Sequence, residues 1–277
     1  MTDTPPETPQ SPATTVYLIG LPYDEQSSFL RGAAEAPDRI RSALKTGSSN
    51  WCAENGIDLA DTDRFTDGGN VDPGSGEGAL EKIEQAVQHY LKNGHRLLCL
   101  GGDHAVTYPI IRAYRQWHAH LTIVHFDAHP DLYDAYEDNR HSHACPFARI
   151  MENGLVDRLI QIGIRTLNPH QRQQAQRFGV ELYEMRHWRV DIDLNLRGPV
   201  YVSLDLDVFD PAFAPGISHP EPGGLSPREL FRILENIDAP VVGADIVEYN
   251  PQRDLNDLTA MLAAKCVKEL AGKMLQG

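Results

Sequence analysis

The feature that most restricts the fold of this chain is a series of short, continuous apolar runs separated by helical patterns. The runs are rich in Val, Ile and Leu, which predicts strands buried on both faces. These strands are predicted at residues 16–22, 96–101, 121–126, 159–164, 180–183, 200–206 and 241–247. Helices are predicted between them at residues 77–92, 106–118, 169–178, 227–237 and 257–275. The alternation predicts an α/β fold, a three-layer α/β/α sandwich with a mostly parallel central sheet.

The first residues of the chain differ in composition from the rest. Residues 1–15 are rich in Thr and Pro and carry almost no large apolar side chains. Such a segment cannot bury enough surface to offset the entropy lost on ordering. We therefore expect a disordered tail over residues 1–15 and, because no internal linker stands out, a single domain over residues 16–277.

Charge and the length of the apolar runs exclude two kinds of partner. The formal net charge is -14, from 25 Lys and Arg against 39 Asp and Glu, which disfavours nucleic acid and anionic membranes and favours a small cation. The apolar runs fall far short of the roughly 20 residues that a membrane span needs. No secretory signal is visible, and the four cysteines lack a Cys-x-x-Cys spacing, so we expect a cytoplasmic protein.

Acidic and histidine side chains follow four of the predicted strands. They are His104, then Asp127, His129 and Asp131, then Asp205 and Asp207, and finally Glu248. Because ligands bind outside the carboxyl ends of strands in such sheets, these side chains should share one pocket. Residues two apart on an extended chain point to the same side, which predicts that each Asp-containing group converges. The two glycines before Asp103 would let backbone segments approach closely.

Six of these residues have the chemistry of a metal centre. They are two imidazoles and four carboxylates: His104, Asp127, His129, Asp131, Asp205 and Asp207. Four acids buried together repel one another unless cations compensate their charge. An isolated Asp-x-Asp pair is common at turns, so the prediction depends on all three groups together. Oxygen-rich ligation with imidazole and no thiolate favours two Mn²⁺ ions per subunit, and such a pair is suited to hydrolysis.

Five segments of the chain resemble the ureohydrolase family of arginases, agmatinases and formiminoglutamases. They are GGDH at 101–104, FDAHPD at 126–131, SHACPF at 142–147, SLDLDVFDPAFAPG at 203–216 and DIVEYNP at 245–251. The resemblance spans most of the chain and implies an arginase-like fold. It also implies that Asp127 and Asp205 bridge two manganese ions. His104 and Asp131 would then complete the shell of one ion, and His129 and Asp207 that of the other.

The same resemblance implies three catalytic residues and a small cationic guanidinium substrate. His143 would shuttle a proton or orient the substrate, and Glu248 would contact the guanidinium. Asp131 would accept a hydrogen bond from the attacking water and help pass its proton to the leaving amine. The role of Glu248 makes physical sense, because a guanidinium is a fixed planar cation whose donors a carboxylate accepts.

The substrate is less closely defined by these segments. The acidic, tyrosine-containing stretch 131–143 resembles agmatinase and offers Tyr133, Asp134 and Glu137 to a second substrate amine. Agmatine, cleaved to putrescine and urea in polyamine biosynthesis, is therefore the favoured substrate. Guanidinobutyrate or another guanidino acid is the alternative, since Arg140 or Arg165 could meet a carboxylate; arginine and formiminoglutamate are less favoured. Residues 215–221, with His219 and Pro220, depart from the Gly-Thr-rich run of many relatives and lie near the expected pocket.

Two other classes of protein remain as alternatives, and the resemblance also implies an assembly. A metal-dependent deacetylase shares a related architecture, but it uses one zinc ion and an adjacent histidine pair, and no His-His dipeptide occurs here. A non-catalytic binding protein on the same fold should have lost metal ligands, and all six residues are present. The resemblance implies a homo-oligomer, either a trimer or a hexamer.

Overall fold

The computed structural model describes residues 15–76, 78–189 and 191–276 and contains one eight-stranded sheet. Its strands, β1 to β8, are Val16–Gly20, Phe65–Asn70, Arg96–Leu100, Thr122–Phe126, Arg158–Ile164, Glu181–Glu184, Val200–Asp205 and Val241–Val247. The order across the sheet is β2-β1-β3-β8-β7-β4-β5-β6, and all neighbouring strands pair in parallel. The last of these strands in the chain, β8, therefore lies inside the sheet between β3 and β7.

Helices cover both faces of the sheet. The α-helices, α1 to α7, are Ala36–Lys45, Ala79–Lys92, Thr107–Tyr114, Pro146–Glu152, Pro169–Phe178, Pro227–Glu235 and Leu258–Gln276. Successive residues of β3 point to opposite faces, so Leu98 joins the apolar core under α1, α6 and α7. Leu97 joins the second core, under α2 and α3. The predicted three-layer α/β/α sandwich is confirmed, and the sheet is parallel throughout.

Three elements were not predicted from the sequence. The strand β2 has the polar sequence FTDGGN and is an edge strand that pairs only with β1, so no apolar run marks it. The helices α1 and α4 were also missed; both begin with a proline in the first turn. The predicted helix at 106–118 is shorter than expected, because a 3₁₀ turn over His104–Val106 precedes α3 and α3 ends at Tyr114.

Two predictions concern the ends of the chain and membranes. The expected disordered tail falls, except for Thr15, outside the described residues, and the single domain over residues 16–277 stays a prediction. None of the described helices is long and apolar enough to cross a membrane.

Candidate active site

The predicted site residues come from four strands that are neighbours in the sheet. These strands, β3, β8, β7 and β4, lie side by side, so their carboxyl ends open on the same region. A cavity of about 210 Å³ lies there. Six of the predicted site residues line it, and they are His129, Asp131, His143, Asp205, Asp207 and Glu248. His104 and Asp127 lie beneath them and are fully buried.

Turns after the strands, rather than strand alternation, bring these side chains together. Asp127 directly follows β4, and Asp131 has a φ of 49°, in the left-handed region. Asp205 ends β7, and its Oδ1 accepts a hydrogen bond at 2.8 Å from the backbone N–H of Asp207, which lies in a 3₁₀ turn. The predicted convergence of each group is therefore present, but the extended backbone that we expected to produce it is not.

The six predicted metal ligands form two connected groups. In the first, Nδ1 of His104 lies 3.3, 3.0 and 3.2 Å from Oδ2 of Asp127, Asp131 and Asp205, respectively. In the second, Nδ1 of His129 lies 2.8 Å from Oδ2 of Asp207 and 3.4 Å from Oδ1 of Asp127. Asp127 belongs to both groups. This arrangement agrees with a two-ion centre, while the assignment of bridging roles to Asp127 and Asp205 stays a prediction.

A hydrogen-bond chain behind His104 determines which of its nitrogens is free. Ser203 donates its only proton to Oδ1 of Asp245 at 2.7 Å, and Asp245 also accepts hydrogen bonds from Tyr201 and Thr107. The Oγ of Ser203, 3.0 Å from Nε2 of His104, must therefore act as the acceptor for that N–H. Nδ1 then carries a lone pair; it is buried without a hydrogen bond and faces three carboxylate oxygens.

These donors fit a divalent cation. A lone pair facing three carboxylates is unfavourable unless a cation lies among them. Burial and the charge of neighbouring carboxylates raise the pKa of Asp205, and the same causes raise the pKa of Asp207 to about 6. Positive charge would keep both acids ionised.

His125 contacts Asp127, which belongs to both groups of donors. Its Nε2 lies 2.8 Å from Oδ2 of Asp127, while its Nδ1 accepts a hydrogen bond from Gln161.

Glu248 and His143 form a hydrogen-bonded pair at the cavity. Oε1 of Glu248 accepts hydrogen bonds at 2.8 Å from the backbone N–H of His104 and at 2.8 Å from Nδ1 of His143. Burial alone would lower the pKa of His143, but the charge of Glu248 outweighs it and raises that pKa to about 9. Burial would raise the pKa of Glu248, but the positive charge of His143 outweighs burial and lowers that pKa to about 2. The pair is thus an imidazolium and a carboxylate at neutral pH.

The loop after β1 holds His143 in this position. The backbone N–H of His143 donates to the carbonyl oxygen of Gln26, and Nε2 of His143 lies 2.8 Å from Oγ of Ser28. The loop reaches the site because Gly102 has no side chain: a Cβ there would lie 1.9 Å from the carbonyl oxygen of Tyr23. The predicted close approach of backbone is present at Gly102, whereas an added Cβ at Gly101 would first meet the side chains of Val247 and Val106. The role of Ser28 was not foreseen.

Several other residues of the cavity were missed or misjudged from the sequence. Ser28, Thr166 and Gln171 line it and were not foreseen, whereas Tyr133, Tyr136 and His219 come from the two stretches, 131–143 and 215–221, that the sequence placed near the substrate. Nothing in their local sequence distinguishes Ser28, Thr166 or Gln171 from ordinary loop or helix residues. His125, by contrast, could have been found, since it precedes Asp127 by two positions on β4.

The charged residues proposed to bind the tail of the substrate are engaged elsewhere. Asp134 forms ion pairs with Arg140 and Arg149. Arg165 donates to five backbone carbonyl oxygens, including those of Asp207 and Glu221. Neither arginine that we expected to meet a carboxylate lines the cavity.

This parallel sheet, with six metal-type donors and a buried glutamate around one cavity, is the architecture of a binuclear-metal hydrolase. The chain belongs to the arginase family, whose sequence model matches residues 14–272. That family consists of ureohydrolases with a binuclear centre, usually of Mn²⁺, that act on guanidino substrates.

Known proteins that resemble the chain include several plant arginases. "Arginase 1, mitochondrial" of Arabidopsis thaliana is 48% identical over 274 residues, covering 93% of this chain and 80% of the relative. "Arginase 2, chloroplastic/mitochondrial" of the same plant is 46% identical over 277 residues, covering 94% and 80%. The solved structure of arginase from Medicago truncatula superposes with a TM-score of 0.89 at 43% identity, covering 95% of this chain and 88% of that one.

These comparisons change two expectations. The particular likeness to agmatinases is not supported, because these relatives are named arginases. The expected cytoplasmic location is wrong on this evidence, since both Arabidopsis relatives are named for mitochondria or chloroplasts.

Proposed function

We propose that the protein hydrolyses the guanidinium group of L-arginine to urea and ornithine. The observation that carries the proposal is the position of Glu248, which lines the same cavity as the metal-type donors and is held ionised by His143. A carboxylate in this place accepts hydrogen bonds from a planar cation and brings its carbon close to those donors. The plant relatives are named arginases, which supports arginine as the substrate.

The residues that would hold two manganese ions are the six donors described above. When bound, the ions would supply Lewis-acid activation of a water molecule and positive charge near the developing negative charge. Asp131, which is 7% exposed and lines the cavity, would accept a hydrogen bond from that water. His143 holds a proton beside Glu248 and could donate it to the departing amine, while Ser28 keeps its ring oriented.

Agmatine, which would give putrescine and urea, is the second candidate substrate. The described lining of the cavity contains tyrosine, threonine and glutamine but no lysine or arginine that would pair with a carboxylate. The hydroxyl oxygen of Tyr133 accepts from Asn168 at 2.6 Å, which leaves the Tyr133 proton free for a ligand. A lining without a cationic side chain of this kind suits a substrate that has no carboxylate, whereas its hydroxyl donors also suit the carboxylate of arginine.

The deciding experiment compares urea release from arginine, agmatine, guanidinobutyrate and guanidine by the manganese-loaded protein. Formamide release from formiminoglutamate is measured alongside. A preparation of Asp205→Asn provides the background from contaminating host enzymes. Preference for arginine supports the proposal, and preference for agmatine or guanidinobutyrate overturns the substrate. Release no greater than that of Asp205→Asn with every compound overturns the hydrolase function.

We also propose that the protein forms a trimer or a hexamer. The support is the common occurrence of oligomers among arginase-family ureohydrolases. Light scattering coupled to size-exclusion chromatography measures the mass directly. A monomeric or dimeric mass at micromolar concentration would contradict this assembly.

A further inference from the structure

His219 lines the cavity beside two of the site histidines. Its ring centroid is 5.1 Å from that of His143 and 6.2 Å from that of His129. On its other side it packs at 5.8 Å against Phe29, whose side chain is 68% exposed. His219 is half-buried and lines the cavity together with Glu248. It is therefore close both to the buried carboxylate of Glu248 and to the exposed Phe29.

The hydrogen-bonding capacity of this ring is unused. Among the described residues no hydrogen bond ends on a ring nitrogen of His219, although His143 is bonded to both Glu248 and Ser28. One His219 nitrogen lies within 4.8 Å of a carboxylate oxygen of Glu248 and of a nitrogen of His143. A small ligand held by Glu248 would therefore be within reach of His219.

The ligand that fits between Glu248 and His219 is a planar cation with several N–H donors. A guanidinium carries more N–H donors than one carboxylate can accept, so a second acceptor beside Glu248 has a partner. Both hydrogen bonds that Glu248 accepts within the described chain end on Oε1. Burial lowers the pKa of His219 below its ordinary value, which favours the neutral ring with a lone pair on one nitrogen.

We propose that His219 accepts a hydrogen bond from the guanidinium group of the substrate and so acts as a binding residue for that group. The proposal rests on the proposed function only in taking a guanidinium as the ligand of Glu248. It assigns His219 to the reacting end of the substrate and not to its tail. The contact with Phe29 then serves to hold the ring edge toward the cavity.

Two substitutions at this position separate hydrogen bonding from packing. His219→Gln retains an acceptor at a similar distance, while His219→Phe retains an aromatic ring against Phe29 and His143 but has no acceptor. For the Phe variant we expect KM for the guanidino substrate to rise about tenfold, the loss of roughly one hydrogen bond to a charged group. For the Gln variant we expect a rise of no more than about threefold.

A tail-only probe shows which end of the substrate is contacted. The inhibition constant of the product amine, which has the tail but no guanidinium, should be the same in both variants and in the parent protein. His170→Phe is the matched control, since His170 stacks on Tyr133 but does not line the cavity. Manganese content and melting temperature, measured on every variant, should equal those of the parent.

The proposed role of His219 can be tested even if no tested substrate is hydrolysed. Calorimetric titration of the manganese-loaded protein with guanidinium chloride needs no turnover, and the Phe variant should bind this probe at least about threefold more weakly than the Gln variant. Equal affinity of the two variants overturns the proposal, as does a parallel rise in the inhibition constant of the product amine. Lack of turnover with intact guanidinium binding would instead contradict only the proposed function.

Discussion

Two of the proposed catalytic acids, Asp131 and Glu248, have left-handed backbone conformations, with φ of 49° and 65°. For residues with a side chain this conformation costs roughly 1 kcal/mol or more, so the surrounding packing must hold it. The turn at Glu248 brings its carboxylate onto the backbone N–H of His104, a residue 144 positions away in the sequence. The sequence could predict both acids from their places after strands, but not the turns that direct them.

The buried acids give a direct test of the metal centre. Asp205→Asn removes one of the three carboxylates around Nδ1 of His104, and we expect manganese binding and turnover to be lost. Metal analysis by mass spectrometry after gel filtration measures the first effect. The exposed Asp61→Asn is the matched control and should retain two ions. A fully loaded and active Asp205→Asn protein would remove Asp205 from the set of ligands.

Glu248 should affect substrate and not metal. In Glu248→Gln the amide oxygen can still accept from the backbone N–H of His104, so the manganese content should not change. The loss of a charged acceptor should lower kcat/KM for the guanidino substrate by about 10- to 100-fold. Steady-state kinetics and metal analysis on the same sample separate the two effects. Loss of metal with this variant would show that Glu248 acts as a ligand.

At the scale of elements, the site depends on contact between the loop after β1 and the turn after β3. Gln26 connects them, since its backbone N–H donates to Asp103 at 2.8 Å and its carbonyl oxygen accepts from His143. The carboxyl ends of β3, β4, β7 and β8 could be predicted as the place of the site, because each apolar run is followed by its acid or histidine. The part played by the loop after β1 could not be predicted, because its contacts are long-range and its residues form no distinctive pattern.

Gly102 tests this contact. In Gly102→Ala the new Cβ would meet the carbonyl oxygen of Tyr23 at 1.9 Å, so the loop or the turn must move. We expect a loss of about 1–3 kcal/mol in the free energy of unfolding and weaker manganese binding, because His104 follows two residues later. Urea denaturation and metal titration measure the two effects. Gly47→Ala, where nothing lies within 4 Å of the added Cβ, should change neither.

At the scale of the whole molecule, metal should stabilise the fold. The centre draws ligands from three strands of the sheet, and a ligand that binds only the folded state adds stability, about 4 kcal/mol at a thousandfold excess over its dissociation constant. Removal of metal with a chelator should therefore lower the melting temperature by about 10 °C in a chain of this size. Differential scanning calorimetry before chelation, after it and after readdition of manganese tests this. Asp205→Asn should show no response.

The layered architecture was predictable, but the order of the strands was not. Continuous apolar runs such as β4, buried at every residue, define central strands, and the helical periods between them require parallel pairing. The polar edge strand β2 has no such run, because its side chains are largely exposed. Which strands are neighbours depends on contacts between distant segments, so the adjacency of β3, β8, β7 and β4 had to come from the structure.

The central position of β8 has a consequence for synthesis of the chain. Strands β1 to β7 leave the ribosome before it, yet without β8 they form two separate half-sheets, β2-β1-β3 and β7-β4-β5-β6, each with an open edge. His104 belongs to the first half and Asp127 to the second, so translation must pass residue 247 before the two can be fixed together. We therefore expect manganese capture to follow the pairing of β8, and until β8 pairs, the edges of β3 and β7 remain open to aggregation.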